Sequence, residues 1–149
     1  MEFGWINLFG GLIVVLILIP NIVYAVKTRG RETAECEVPK VLTVCEQVGR
    51  YGCMLFMWLP LFVWKFGFGS MAGLLLYLFG NGALLLAYYA FWIAYAKKKT
   101  LIRALTLAII PTCIFLLSGL TLRYPLLIAF SMLFGCAHTA ITVMTHREK

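Results

Sequence analysis

Residues 70–96 read SMAGLLLYLFGNGALLLAYYAFWIAYA, and three lysines at positions 97–99 close this run. The run carries no charged side chain, and it exceeds the roughly 20 residues that a helix needs to cross the hydrocarbon core of a bilayer. It therefore predicts a membrane-spanning helix. Three further uncharged runs, at residues 4–26, 104–122 and 124–145, are long enough for the same prediction.

The composition of the whole chain agrees with this prediction. Of the 149 residues, 62% are hydrophobic and only 13% are charged. Soluble domains average about 45–50% apolar and about 25% charged residues. The composition thus excludes a water-soluble globule, a disordered chain and a disulfide-stapled secreted module. The expected surroundings, and the first expected partner, are the lipid bilayer.

A fifth run, at residues 51–64, is too short to cross by itself, since it measures about 21 Å as a helix. The helix could extend forward past Lys65 or backward towards Pro39. Pro39 suits a first helical turn, where its missing N–H would be unpaired in any case, whereas Pro60 weakens the other end. The backward extension is favoured, and it draws acidic and basic side chains to the edge of the lipid.

These runs predict one domain, an all-α bundle of five membrane helices. Alternating the loops between the two sides places all but Lys65 and Arg123 of the 13 Lys and Arg residues on one side. Cytoplasmic loops carry such an excess, so we expect the N-terminus outside and the C-terminus in the cytoplasm of a cell. The predicted spans are about residues 4–26, 43–66, 70–96, 102–122 and 124–145.

Other interpretations of the charge and of the first run are less favourable. The net charge of +7 could indicate nucleic acid, but the basic residues lie between apolar runs, so no nucleic-acid partner is expected. Val23-Tyr24-Ala25 resembles a signal-peptide cleavage site, yet no basic residue precedes the long apolar run. The five scattered cysteines fit no zinc pattern, and we expect neither a metal nor a cofactor.

Aromatic residues fall where interface anchors are expected, since Trp and Tyr concentrate at the two edges of a bilayer. The predicted anchors are Trp5, Trp58, Trp64 and Tyr124 on the outer side, and Trp92 and Tyr95 on the inner side.

Polar side chains at membrane depth need a partner or a water-lined cavity, so each one is a candidate for function. Those expected in the inner half of the bilayer form a candidate ligand pocket open to the cytoplasm if spans one, two and five touch. They are Asn21, Glu46, Gln47, Arg50 and His138. Asn81, between two glycines, instead predicts a hydrogen bond between closely packed helices.

Each member of this pocket has a structural and a functional interpretation. Glu46 and Arg50 are spaced i,i+4, so they either form an ion pair at the lipid edge or line a site that holds an anion. Asn21 follows Pro20 and either repairs the helix break there or contacts a ligand. His138 is either a packing residue or a proton carrier, because histidine changes charge near neutral pH. The small and polar residues Ser131, Gly135, Thr142 and Thr145 share its helix face.

Two stretches carry a resemblance to a known group. PNIVYA at 20–25 and EQVGRYGCM at 46–54 resemble small clostridial-type integral membrane proteins, and the likeness extends through residues 118–119 and 136–138. That group is usually left hypothetical or labelled transporter permease. The resemblance implies a small bacterial multispan membrane protein and transfers no catalytic residue.

Three functions remain open from the sequence. The first is a non-enzymatic membrane protein that binds or helps to transport a small amphipathic or anionic ligand through the pocket. The second is a membrane-embedded enzyme that acts on a lipid, with His138 or Glu46 as acid or base and Arg50 holding a headgroup. The third is an accessory subunit whose small-residue stripes dock a membrane-protein partner.

Overall fold

Five helices make up nearly all of the structure, a computed structural model that describes residues 2–29, 38–62 and 66–147. The all-α prediction is confirmed apart from one short antiparallel strand pair, which the sequence did not predict. In chain order the elements are β1 Glu2–Gly4, α1 Leu8–Thr28, α2 Lys40–Trp58, β2 Phe66–Gly67, α3 Met71–Lys97, α4 Leu101–Thr121 and α5 Pro125–Arg147.

Four of the helices, α1, α3, α4 and α5, are long and apolar enough to cross a membrane. On length and composition, α2 is not one of them, because Glu46, Gln47 and Arg50 lower its hydropathy. Four of the five predicted spans are therefore found on these criteria. Many large apolar side chains also point away from the bundle, among them Phe79 at 74% exposure and Ile102 at 75%. The chain has the make-up of a multi-pass membrane protein.

The second predicted span is wrong at its far boundary, which was placed at residue 66. The helix begins at Lys40, directly after Pro39, as the favoured backward extension requires. It ends at Trp58, because Pro60 cannot continue a helix and restricts Leu59, which is extended. Trp64 and Lys65 lie outside the described residues.

Pro20 lies inside α1 without ending the helix. Its ring removes the N–H that would bond to the carbonyl of Leu16. The hydroxyl of Tyr89 in α3 donates to this freed carbonyl at 2.7 Å. Asn21 donates to the Ile17 carbonyl at 3.0 Å. The freed carbonyl is thus satisfied by a neighbouring helix, and Asn21 bonds to the next carbonyl along α1 instead of to the freed one.

The helices run alternately up and down and form a closed ring in the order α1, α2, α5, α4, α3. The ring places the loops in two groups. The basic end contains the described ends of the α1–α2 connection, residues 98–100 and the last turn of α5. There Tyr95 lies 6.2 Å from Tyr24 and 6.4 Å from His146, between ring centroids.

The far end of the bundle contains residues 2–7, residues 59–62, residues 66–70 and residues 122–124. The backbone N–H of Asn7 donates to the Trp58 carbonyl at 2.9 Å. Tyr124 is buried, and its hydroxyl donates to the Leu61 carbonyl at 2.5 Å. It therefore joins the start of α5 to the segment after α2 and is not an interface anchor. This burial raises the pKa of Tyr124. Trp5 and Trp58 are exposed, as interface anchors require.

Two glycines allow α2 and α5 to approach closely along an antiparallel seam. A Cβ atom at Gly49 would lie 2.7 Å from the backbone nitrogen of Phe134, and one at Gly52 would lie 2.1 Å from the ring of Phe130. A side chain would therefore force the helices apart. This seam determines which residues of α2 face which residues of α5.

Candidate functional site

Glu46, Arg50 and His138 form one charged cluster at the α2–α5 seam. Glu46 is buried, with 4% of its side chain exposed, and accepts hydrogen bonds through one oxygen, Oε1. Arg50, one turn along α2, pairs with this oxygen through Nη2. His138 on α5 places Nδ1 3.1 Å from the same oxygen. The sequence predicted the i,i+4 pair and a shared pocket with His138, and the structure gives the contact through which the histidine meets the pair.

The packing around this cluster explains why His138 meets Glu46. Because α2 and α5 are antiparallel, residues one turn earlier in α2 lie beside residues one turn later in α5. Glu46 is one turn before Gly49, and His138 is one turn after Phe134, so the Gly49–Phe134 contact brings Glu46 beside His138. The ring of Phe134 stacks on the His138 ring, with 5.0 Å between the centroids and 18° between the planes. Stacking on one face and the carboxylate at Nδ1 together fix the orientation of the imidazole.

A cavity of about 430 Å³ lies inside the helix ring, next to the cluster. This volume is within the range of about 300–1,000 Å³ that is typical of small-molecule sites. All five helices contribute to its wall, which extends from Phe115 to the basic end at Tyr95 and His146. The wall is made by Ile17, Leu18, Asn21, Tyr24, Arg50, Met54, Tyr88, Trp92, Tyr95, Ala104, Leu107, Ala108, Pro111, Phe115, Phe134, His138, Ile141, Thr142, Thr145 and His146.

The basic and acidic side chains of the cluster lie at different depths behind the surface of this cavity. Arg50 and His138 line it, with 34% and 28% of their side chains exposed, whereas Glu46 lies behind them and does not line it. A molecule in the cavity therefore meets the two basic side chains before the acidic one. Arg50 uses Nη2 for Glu46, and among the described residues no other hydrogen bond of its guanidinium is found.

Asn21 contributes the polar group of α1. Its Nδ2 donates to the hydroxyl of Tyr88 on α3 at 3.0 Å as well as to the Ile17 carbonyl. Asn21 thus has both a structural role and a place in the cavity wall. Gln47, the remaining member of the predicted pocket, is half-buried and, like Glu46, is not among the lining residues.

A cluster of aromatic rings lines the α1–α3 side of the cavity, and this was not foreseen. Tyr24 lies 5.2 Å from Trp92, and Trp92 lies 6.0 Å from Tyr95 and 6.4 Å from Tyr88, between ring centroids. Trp92 and Tyr95 therefore face the interior, although the sequence assigned them to the inner interface. Their shared helix face with Tyr88 was the available signal.

The small and polar face of α5 points into the bundle, as predicted. Ser131 is fully buried, and a Cβ atom at Gly135 would lie 2.4 Å from the Thr112 methyl group of α4. Thr142 and Thr145 line the cavity, but their hydroxyls donate to the carbonyls one turn back, at 2.8 Å each. These hydroxyls are thus engaged with the backbone and are not arranged as nucleophiles beside His138.

Asn81 makes the interhelical contact that the sequence predicted. Its Nδ2 donates to Ser118 Oγ of α4 at 3.1 Å. Nearby in the core, Nδ2 of Asn7 donates to the hydroxyl of Tyr77 at 3.3 Å. All four side chains are almost completely buried, and Asn7 and Tyr77 lie at the far end of the bundle. This second polar cluster is separate from the cavity, because none of these residues lines it.

No group of three or more His, Cys, Asp or Glu residues is placed to hold a metal ion within residues 2–29, 38–62 and 66–147.

Comparison with known proteins gives no relative from which a role could be carried over. A scan against protein-family models, a search of curated proteins and a search of solved structures each returned no match. The resemblance to clostridial membrane proteins stays a prediction, and the function has to be inferred from the chain's own geometry.

Proposed function

We propose that this chain is a bacterial multi-pass protein of the cell membrane that binds a small amphipathic anion in its cavity and helps to transport it. The single observation that carries the proposal is the order of charges around the cavity. Arg50 and His138 form part of the wall, and the buried Glu46 holds them from behind. Within the described part of the chain the other donors of the Arg50 guanidinium have no partner, and such a group is well suited to a carboxylate, sulfonate or phosphate.

The rest of the wall supports an amphipathic ligand over a small inorganic ion. Most lining residues are aliphatic or aromatic, including Ile17, Leu107 and Phe115. An apolar body would bury its surface against these side chains, while its anionic group contacts Arg50. The aromatic residues Tyr24, Tyr88, Trp92 and Tyr95 would contact the part of the ligand nearest α1 and α3.

We further propose that α2 is the fifth span, in spite of its low hydropathy. Glu46 faces the bundle and Arg50 is half-buried, whereas one outward stripe at alternating steps of three and four residues is hydrophobic: Val41, Val44, Val48, Tyr51 and Leu55, all exposed. α2 also packs antiparallel to α5 from Glu46 beside His138 to Gly52 beside Phe130. A helix that lies beside an apolar span at the same depth needs an apolar outer face, and α2 has one.

The distribution of basic residues supports the orientation. The described basic residues of the loops, except Arg123, lie at the basic end, where the cavity reaches Tyr95 and His146. The positive-inside rule assigns this end to the cytoplasm, which places the N-terminus outside. The proposed site therefore faces the cytoplasm.

Binding of naphthalene-2-sulfonate, a permanently charged aromatic anion, tests this function. The full chain is reconstituted in lipid nanodiscs, and binding is measured by isothermal titration calorimetry. We expect binding of the sulfonate at least tenfold tighter than that of the uncharged 2-naphthalenemethanol, because only the sulfonate engages Arg50. Arg50→Lys should weaken sulfonate binding about tenfold, since it keeps the charge but loses the planar fork.

Arg123→Gln is the matched control, because this arginine lies at the far end of the bundle. It should leave the affinity unchanged. Equal affinities for the sulfonate and the alcohol, or equal losses in the two arginine variants, would contradict the proposed site.

A further inference from the structure

We infer that an anion enters the cavity together with one proton, which the Glu46–His138 pair takes up. This inference rests on the proposed anion-binding function and specifies its regulation. It starts from the sharing of one carboxylate oxygen between two basic groups, Nη2 of Arg50 and Nδ1 of His138. One acid thus faces two bases, and the charge of the cluster depends on whether the second base is protonated.

The balance of charge links the proton to the anion. With a neutral His138, the carboxylate of Glu46 cancels the charge of Arg50, and the wall offers an anion no net charge. With a protonated His138, the cluster carries one net positive charge. Burying an anion beside a neutral wall is costly in a site of low dielectric constant, so the anion binds the protonated state more tightly. By linkage, the bound anion in turn favours uptake of the proton.

His138 is well placed to receive this proton. Nδ1 donates its hydrogen to Glu46, so Nε2 accepts the added proton: a new Nε2–H bond forms as the buffer acid gives up its proton. The carboxylate stabilises the resulting imidazolium, as acids that orient histidines do in general.

Other ionisable groups around the cavity are worse candidates near neutral pH. α1 contributes Tyr24, α3 contributes Tyr88 and Tyr95, and Lys99 lies 5.6 Å from the Tyr24 ring centroid at the basic end. Phenols, lysines and arginines ordinarily titrate above pH 9. His146 remains, but its Nδ1 lies 3.2 Å from the backbone carbonyl of Thr142, whereas His138 contacts a carboxylate.

Calorimetry in buffers of different ionisation enthalpy measures the proton directly. Naphthalene-2-sulfonate stays charged between pH 5.5 and 8.5, so any proton uptake belongs to the protein. For the full chain in nanodiscs, we expect an uptake of up to one proton per ligand that is larger at pH 8.5 than at pH 5.5. The affinity should fall by up to tenfold per pH unit at the alkaline end of this range.

Three variants identify the side chain that takes up the proton. His138→Gln should abolish the uptake and leave weaker, pH-independent binding, whereas His146→Gln should keep the uptake whatever its effect on affinity. Glu46→Gln leaves the charge of Arg50 uncancelled, so it should tighten binding at pH 8 at least tenfold. Circular dichroism in the same nanodiscs verifies that each variant retains its helices.

The outcomes separate the two proposals. Absence of sulfonate binding at every pH would overturn the anion-binding function itself. Binding without proton uptake, or uptake that persists in His138→Gln, would overturn only the proton linkage. Uptake lost in His146→Gln but kept in His138→Gln would likewise overturn it, because the proton would then belong to the other histidine.

Discussion

The α2–α5 seam and the attachment of α1 represent two different ways of joining helices in this bundle. Along the seam, Gly49 and Gly52 bring one helix against the backbone and rings of the other. α1 has one comparable approach, at the far end, where a Cβ atom at Gly10 would lie 2.1 Å from the Met57 carbonyl oxygen. Along the rest of its length it meets α3 through separate hydrogen bonds, from Tyr89 to Leu16 and from Asn21 to Tyr88. Only 17% of the most apolar window of α1 is buried, against 44% in α4.

This difference matters because each junction holds a different part of the site. The close seam fixes the relative positions of Glu46 and His138, which no single helix could determine. The α1 junction supplies Asn21 and Tyr24 to the opposite wall of the same cavity. Charge is therefore placed at the closely packed seam, and the α1 wall is held near the cavity by the ring contacts of Tyr24 and by polar contacts that contribute about 1 kcal/mol each.

Breaking the seam should have the largest effect on stability. Gly49→Leu places a side chain where the backbone of Phe134 already lies, and this backbone cannot move aside without separating the helices. We expect the free energy of unfolding to fall by about 3 kcal/mol or more. Gly82→Leu is the control, because a Cβ atom at Gly82 meets nothing within 4 Å. Thermal unfolding in detergent, followed by circular dichroism, compares the two; equal losses would refute a seam that depends on Gly49.

Removing the carboxylate of Glu46, which Arg50 and His138 share, should have a smaller effect on the free energy of unfolding. Glu46→Gln leaves Arg50 and His138 without their carboxylate. Because the side chains of Arg50 and His138 are about a third exposed, we expect the free energy of unfolding to fall by only about 1–2 kcal/mol. In the double variant Glu46→Gln with Arg50→Gln, the loss should be less than the sum of the two single losses. Strictly additive losses in denaturant unfolding would show that the pair does not contribute as a unit.

Weakening the α1 junction should lower the free energy of unfolding least. Tyr89→Phe removes the hydroxyl that bonds to the Leu16 carbonyl, for an expected loss of about 1 kcal/mol. In a Pro20→Ala background, the helix regains its own donor for that carbonyl, so Tyr89→Phe should then cost almost nothing. Tyr51→Phe, at an exposed outer position, is the control. The same loss in both backgrounds would mean that Tyr89 does not serve the proline break.

Much of the fold follows from properties of single segments, and these were predicted. Apolar runs placed four of the helices, and Pro39 indicated where α2 begins. The i,i+4 spacing of Glu46 and Arg50 predicted their ion pair, because it depends on the geometry of one helix alone. The inward face of α5 and the contact of Asn81 followed from small and polar residues in otherwise apolar helices.

The remainder of the site depends on how separate helices meet, which periodicity alone does not determine. Wall residues of α4 such as Leu107 and Phe115 are apolar, and an apolar residue that faces a cavity looks the same in sequence as one that faces lipid. Trp92 and Tyr95 are of the types that occupy both interfaces and interiors, so their positions near a helix end were misleading. The β1–β2 pair joins two segments too short to carry any pattern.

The strand pair described above has a mechanical consequence for α1. β1 holds the start of the chain to residues 66–67, and Asn7 adds two hydrogen bonds beside it, so α1 is pinned at the far end. A helix pinned at one end behaves as a lever. With a length of about 30 Å, a tilt of about 5° displaces its opposite end by about 2–3 Å. Such a tilt would shift Tyr24, near that end, against the rings of Trp92 and Tyr95, while the pinned end would barely move.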